Sequence, residues 1–139
     1  MTVAFAALST RLNINGTAKN SGVKNFDKFH NAGYKGLYNG ETADDIAKRK
    51  GIRYREEILD NMGSEELADN LFRIVQTEEK LKNDNIKGEG NAIDTHYIVG
   101  KKVRETIKKL GCTMPENLPT PERSIKEIEK SNLKKIEKN

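Results

Sequence analysis

The sequence predicts an all-α fold: a single compact domain of five to six helices, with a proline-rich connector before a C-terminal helix. Three observations carry this. Apolar residues recur at helical spacing, most clearly at Leu67, Leu71, Ile74 and Leu81. Helix-terminus residues bracket the stripes, with Thr42, Ser64 and Thr120 ahead of them and Gly51, Gly63 and Gly111 behind. No segment sustains the alternation of apolar and polar residues that a half-buried strand requires. A length of 139 residues suits one domain.

Residues 1–20 form a leader in this reading. Val3, Phe5, Leu8 and Leu12 suit a short amphipathic turn on a mobile arm, punctuated by Thr17, Asn20, Ser21 and Gly22. Residues 21–113 form the helical domain. Its first helix is expected from Val23 to Asn31, with Ser21 as cap, Phe26 and Phe29 on one face, and Gly33 as stop. The next stretch, Gly33 to Gly40, holds three glycines in eight residues and reads as a compact loop. Thr42 is the expected N-cap of a helix running to Lys50, with Asp44 and Asp45 in its first turn. Asp44–Lys48 and Asp45–Arg49 have the favourable i,i+4 order. A third helix is expected from Tyr54 to Met62, ending at Gly63.

Ser64 then caps a fourth helix, Glu65 to Asn83, and a fifth covers Ala92 to Leu110. On the fifth, Ile93, His96, Tyr97, Gly100, Val103, Ile107 and Leu110 share a face, and Gly100 would let another helix approach closely. These two helices are expected to pack through Leu67, Leu71, Phe72, Val75, Ile93, Tyr97, Val103 and Ile107. Residues 114–139 complete the chain. Pro115, Pro119 and Pro121 make a rigid connector, and Thr120-Pro121 is expected to start a last helix carrying Ile125, Ile128, Leu133 and Ile136.

Composition narrows the function. The longest uncharged apolar run, Val3 to Leu8, is six residues, whereas a membrane span needs about 20. A lone cysteine, Cys112, fits a reducing compartment, and a cytoplasmic location is expected. The net charge of +4 permits contact with nucleic acid or an acidic protein without demanding either. Gly33, Gly36 and Gly40 lack the Gly-Lys-Ser/Thr ending of a phosphate-binding loop, and neither a nucleophile elbow nor a zinc-binding histidine pair occurs. No enzyme activity, cofactor or metal is expected. Glu78-Glu79 reads as a solvated helix face, His96 as a hydrogen-bonded core residue, His30 as structural or surface, and Cys112 as inert.

Two basic clusters remain. Lys48, Arg49, Lys50, Arg53 and Arg55 crowd eight residues, and Lys101, Lys102, Arg104, Lys108 and Lys109 line the fifth helix, diluted by Glu105 and Asp94. The expected partner surface joins the Gly33–Gly40 loop to the first cluster. Tyr34, Lys35, Tyr38 and Asn39 come from the loop, and Lys48, Arg49, Arg53 and Arg55 from the basic stretch. Tyrosine and arginine are the residue types enriched at interface hot spots. A weak nucleic-acid contact is compatible with the same residues.

Six stretches share one resemblance. They are Phe29-His-Asn-Ala-Gly-Tyr-Lys-Gly-Leu-Tyr-Asn-Gly40, Arg49-Lys-Gly-Ile52, and Ile58-Leu-Asp-Asn-Met-Gly-Ser-Glu-Glu-Leu-Ala68. With them go Asn70-Leu-Phe-Arg-Ile-Val-Gln-Thr-Glu-Glu-Lys-Leu81, Thr95-His-Tyr-Ile-Val-Gly-Lys-Lys-Val-Arg104 and Gly111-Cys-Thr-Met-Pro-Glu-Asn-Leu-Pro-Thr-Pro121. From about Val23 to Glu129 the chain resembles the C-terminal half of the DNA-damage-inducible protein D (DinD) family. It departs in its leader and in Cys112, where that family more usually has glycine. The resemblance implies a bacterial or phage protein of the DNA-damage (SOS) response. Its expected role is to bind and inhibit or modulate the RecA recombinase, or its filament on single-stranded DNA, without catalysis. The BRO-N-like first domain usual in that family is missing from this sequence, which suggests a phage or mobile-element protein or an excised piece. The alternative is an anti-CRISPR-type inhibitor, a phage counter-defence protein that binds a nucleic-acid-guided effector. The resemblance assigns no site residues.

Overall fold

Short polar side chains start the early helices, as local chemistry requires. Asn13 Oδ1 accepts from Gly16 N at 3.2 Å to open α1 (Ile14–Asn20), and Asn25 Oδ1 accepts from Lys28 N at 3.1 Å to open α2 (Phe26–Leu37). Thr42 and Asp45 form a reciprocal capping box at α3 (Ala43–Lys50), which Gly51 ends with a φ of 71°. The long helices are α4 (Ser64–Asn83) and α5 (Glu89–Lys109), and α6 (Ile125–Glu137) closes the chain. Short 3-10 turns cover Leu59–Asn61 and Pro115–Asn117. This computed structural model describes residues 13–53, 58–122 and 124–137, and no strand occurs among them. The expected all-α class is observed. Among the described residues no helix is long and apolar enough to cross a membrane.

The central packing is α2 against α5, and three glycines create it. A Cβ on Gly100 would lie 2.6 Å from the Gly33 carbonyl oxygen, and one on Gly36 would overlap the Tyr97 carbonyl. Two helix backbones therefore meet where side chains would hold them apart. This corrects the Gly33–Gly40 loop. Gly33 does not stop a helix; α2 runs through Gly33 and Gly36 to Leu37, and only Asn39 (φ 55°) and Gly40 (φ 98°) turn the chain. The energy that keeps these glycines helical comes from burial against α5, which a local turn signal does not register.

Two apolar clusters sit on either side of this crossing. One gathers Leu37, Ile46, Ile58, Met62, Leu67, Val99, Val103, Ile107 and Ile125. The other gathers Ala18, Val23, Phe29, Leu81 and Ala92. The leader needs correction here, because α1 is docked rather than mobile: Ala18 and Thr17 are buried and Asn13 N donates to Glu78. The turn expected around Val3, Phe5, Leu8 and Leu12 lies outside the described residues. Glu78 is likewise buried, accepting from Thr17 Oγ1 at 3.3 Å and from Lys82 at 3.1 Å, rather than sitting on a solvated face.

Other boundaries shift for similar reasons. Of the expected third helix, residues 54–57 lie outside the described residues, and the remainder forms only the Leu59–Asn61 turn. Arg49 pairs with Glu41 instead of Asp45, whose carboxylate is engaged in the cap. Ser64 is the first helical residue rather than the cap. The last helix starts at Ile125 and is capped by Ser124, whose Oγ accepts from Glu127 N at 3.2 Å, while Thr120 binds Lys50. The expected interface between the fourth and fifth helices is only partly right. Leu67, Val103 and Ile107 are buried, Leu71, Val75 and Ile93 are half-buried, and Phe72 and Tyr97 are 53% and 42% exposed. Phe72 instead lines an open, largely apolar groove of about 370 Å³ with Val99 and Val103.

The crossing yields a direct prediction. Gly36→Ala should destabilise the fold by about 1–3 kcal/mol or more, because the added methyl meets backbone that cannot rotate away. Gly90→Ala, in α5 with open space around its Cβ, should be neutral or stabilise by up to about 1 kcal/mol. Denaturant melts of the two variants check the pair, and equal effects would refute the close crossing.

Candidate functional site

The structure divides the residues expected to touch a partner. Tyr38 is 1% exposed, so it is a core residue and not an interface aromatic. Tyr34 is half-buried, stacked 4.8 Å beneath the Arg73 guanidinium. The expectation of two exposed tyrosines on a loop is thereby corrected: the stretch is helical, and a helix of this phase turns both rings inward. Lys35, Asn39, Lys48, Arg49 and Arg53 are exposed, and Arg55 lies outside the described residues. Lys50 leaves the basic cluster altogether, because its side chain is buried and its ammonium pairs with Glu66 at 2.6 Å.

Lys35 and Asn39 do not face the Lys48–Arg53 stretch across a shared cleft. They face α5. A cleft of about 370 Å³ runs between the end of α2 and the middle of α5. Lys35, Asn39 and Gly40 form one wall, and Tyr97, Lys101, Arg104 and Lys108 form the other, with Glu105 beside them. The spacing 97, 101, 104, 108 is one helical stripe. The basic cluster on the fifth helix, which looks diluted in sequence, is partly sorted by helix phase: Lys101, Arg104 and Lys108 line the cleft together with Glu105, while Asp94 does not.

Glu116, from the proline-rich connector, pairs with Arg104 of the α5 wall. Its carboxylate takes two bonds from Arg104 at 2.7 and 2.8 Å, and its carbonyl accepts from Arg49 at 3.2 Å. Burial pushes the Glu116 carboxyl up, but the Arg104 bonds outweigh it and hold the group below its ordinary range. Arg104 also donates to the Leu37 carbonyl at 3.1 Å, fastening α5 to the end of α2. Lys35, Lys101 and Lys108 make no ion pair among the described residues.

Behind the cleft lies a buried polar chain. Lys50 holds Glu66; Glu66 accepts from Tyr38 Oη; Tyr38 Oη accepts from Asn70 Nδ2 at 2.9 Å. Asn70 Oδ1 accepts from Arg73 Nη2 at 3.1 Å, and Arg73 Nη1 reaches His96 Nε2 at 2.5 Å. His96 Nδ1 donates to the Phe29 carbonyl at 2.8 Å. That last bond places the imidazole proton on Nδ1 and leaves Nε2 as an acceptor for the guanidinium. The expectation that His96 is a hydrogen-bonded core residue is met. Sequence reasoning missed Glu66, Asn70 and Arg73, which look like ordinary polar positions of a surface helix. Their only signal is spacing, since 66, 70, 73 and 77 form a stripe of their own. Among the described residues no group of three or more His, Cys, Asp or Glu side chains could hold a metal.

The buried chain makes the protein sensitive to two changes. Lys50→Met leaves the Glu66 carboxylate buried without its cation and should destabilise the protein by about 3–5 kcal/mol. Lys48→Met, two residues away and exposed, should stay within about 0.5 kcal/mol; chemical denaturation of each variant checks this. The second change is pH. Burial first, then the Arg73 charge, holds His96 well below its ordinary 6.5 and lowers His30 as well. Both are neutral in the fold and protonate more readily when unfolded, so stability is full above pH 6.5 and is lost as pH falls below it. Asp69 opposes them. Burial and the neighbouring Glu66 and Glu65 raise it from 3.8 to about 6, so the fold gains stability as pH drops through 6. Asp69→Asn should therefore steepen the acid loss of stability in melts between about pH 7 and 4.5.

Residues 7–128 match the DinD C-terminal domain. Over 106 residues the chain is 56% identical to DNA damage-inducible protein D of Escherichia coli (strain K12). The match covers 76% of this chain and 39% of that protein's length. No solved structure matches it. The matched residues include both walls of the cleft and every member of the buried chain from Lys50 to His96, and this chain belongs to the DinD family.

Proposed function

We propose that this chain acts in the response to DNA damage, as the name of its Escherichia coli relative suggests, by binding the RecA recombinase or its filament on single-stranded DNA and modulating it without catalysis. Family membership supports the setting. The cleft supports the mode of action, and it is the observation that carries the reading. Three lysines that make no ion pair among the described residues line that concave surface against one carboxylate, Glu105, so the face stays net positive and suits a polyanionic target such as a nucleoprotein filament. Tyr38 has no part in the contact.

The test is binding of the chain to recombinase filaments assembled on single-stranded DNA, read by biolayer interferometry. Lys101→Glu, on an exposed position of α5, should leave melting unchanged and weaken binding about tenfold. Wild-type binding that survives Lys101→Glu intact would remove the cleft from the reading. Failure of the wild type to bind any recombinase would overturn the reading itself, and binding to a nucleic-acid-guided nuclease instead would replace it with counter-defence.

A further inference from the structure

We propose that the cleft between α2 and α5 binds the sugar–phosphate backbone of a single-stranded nucleic acid directly, with Tyr97 as a stacking platform for one base. This deepens the reading above and rests on it for biological setting, but the chemistry stands on the cleft itself.

Four features point to that ligand. First, Tyr97, Lys101, Arg104 and Lys108 lie on one stripe of α5 with a single carboxylate, Glu105, lining the cleft beside them, and Lys101 to Lys108 span about 10 Å along the helix axis. An aromatic ring therefore sits one turn before a line of cations, the combination by which sequence-tolerant single-strand binders hold bases and phosphates together. Second, the tight crossing places that ring. The Tyr97 carbonyl packs where a Cβ on Gly36 would be, so the residue is fixed by its backbone while its side chain emerges 42% exposed at the cleft wall. A core aromatic would be buried, and a solvated lysine or glutamate would serve the surface as well.

Third, the available cations are lysines. Arg104, whose planar fork best matches a carboxylate, is already taken by Glu116 in a bidentate pair. Lys35, Lys101 and Lys108 remain, compact point charges that meet phosphates without demanding planar geometry. An acidic protein surface would be better served by free arginines. Fourth, the opposite wall leaves room for a backbone. Asn39 is exposed with amide donors and acceptors, and a Cβ on Gly40 would meet nothing within 4 Å. The volume of about 370 Å³ accommodates a nucleotide-sized group.

The experiment uses the full 139-residue chain with fluorescein-labelled oligo(dT) and no recombinase, read by fluorescence anisotropy between about 50 and 200 mM salt. The wild type should bind, with affinity falling linearly with salt on a log–log plot. Lys101→Glu combined with Lys108→Glu should weaken binding about tenfold or more and reduce the salt slope by about 1.4, at about 0.7 per lost phosphate contact on a single strand. Lys19→Glu with Lys130→Glu is the matched control: each pair takes the net charge of +4 to zero, but these two exposed lysines lie away from the cleft. Tyr97→Ala should weaken binding about fivefold or more, and Tyr97→Phe should restore it. Absence of wild-type binding, equal loss in the control pair, or displacement by polyglutamate or duplex as effective as by oligo(dT) would each overturn the proposal. Filament binding that persists without oligo(dT) binding would overturn this inference alone and leave the recombinase reading standing.

Discussion

Everything else in this fold depends on α2 and α5 touching at Gly33, Gly36 and Gly100. Three missing side chains let two backbones meet, and the consequences spread outward from that contact. His96 lies over Gly33, where any Cβ would strike its ring and the Arg73 guanidinium. The imidazole reaches the Phe29 carbonyl because α2 is this close. Arg73 can then be buried without a carboxylate against it, held by the His96 lone pair, the Asn70 carbonyl oxygen and the Tyr34 ring. Its Nε is buried without a hydrogen-bond partner, so the guanidinium depends on the partners its other nitrogens and its face do have, and the crossing and the polar chain stand or fall together.

That polar chain runs through the interior beside the two apolar clusters. The inward face of α4 carries Glu66, Asn70, Arg73, Thr77 and Glu78 among its buried residues. A chain with 33% charged residues has fewer apolar side chains to devote to packing. Directional bonds take over the task of fixing helix positions, and they do so with more specificity than dispersion contacts. The link from Lys50 through Glu66 and Tyr38 ties α3 to α4 and α2, while Glu78 ties α1 to α4. Each tie has one geometry, so the helices have one arrangement.

The same contact shapes the surface. Because α2 and α5 approach so closely, the groove beside their crossing is shallow enough for Lys35 and Lys101 to face one opening. The proline-rich connector then returns along this edge. Pro115 is fully buried, and Glu116 fixes Arg104 and meets Arg49. A segment that looks like a spacer thus commits Arg104 of the cleft to an ion pair and leaves the lysines as its other cations.

By itself, the sequence determined the helical class, the positions of α3, α4 and α5, and the capping chemistry at Thr42 and Gly51. Those depend on spacing and on bonds within a few residues, which a linear string records. It also placed His96 in the core and marked Gly100 as a point of close approach. The tertiary structure alone decided that Gly33 and Gly36 are helical, that Tyr38 is buried while Tyr97 is not, and that Lys50 is a buried ion-pair partner beside an exposed Lys48. It alone joined Lys35 and Asn39 to the basic stripe of α5, some sixty residues away, rather than to the basic stretch just after them. The physical reason is the same in each case. A glycine's conformation and a charged residue's burial are set by what packs against them. Those neighbours came from distant helices whose approach distance no local pattern encodes.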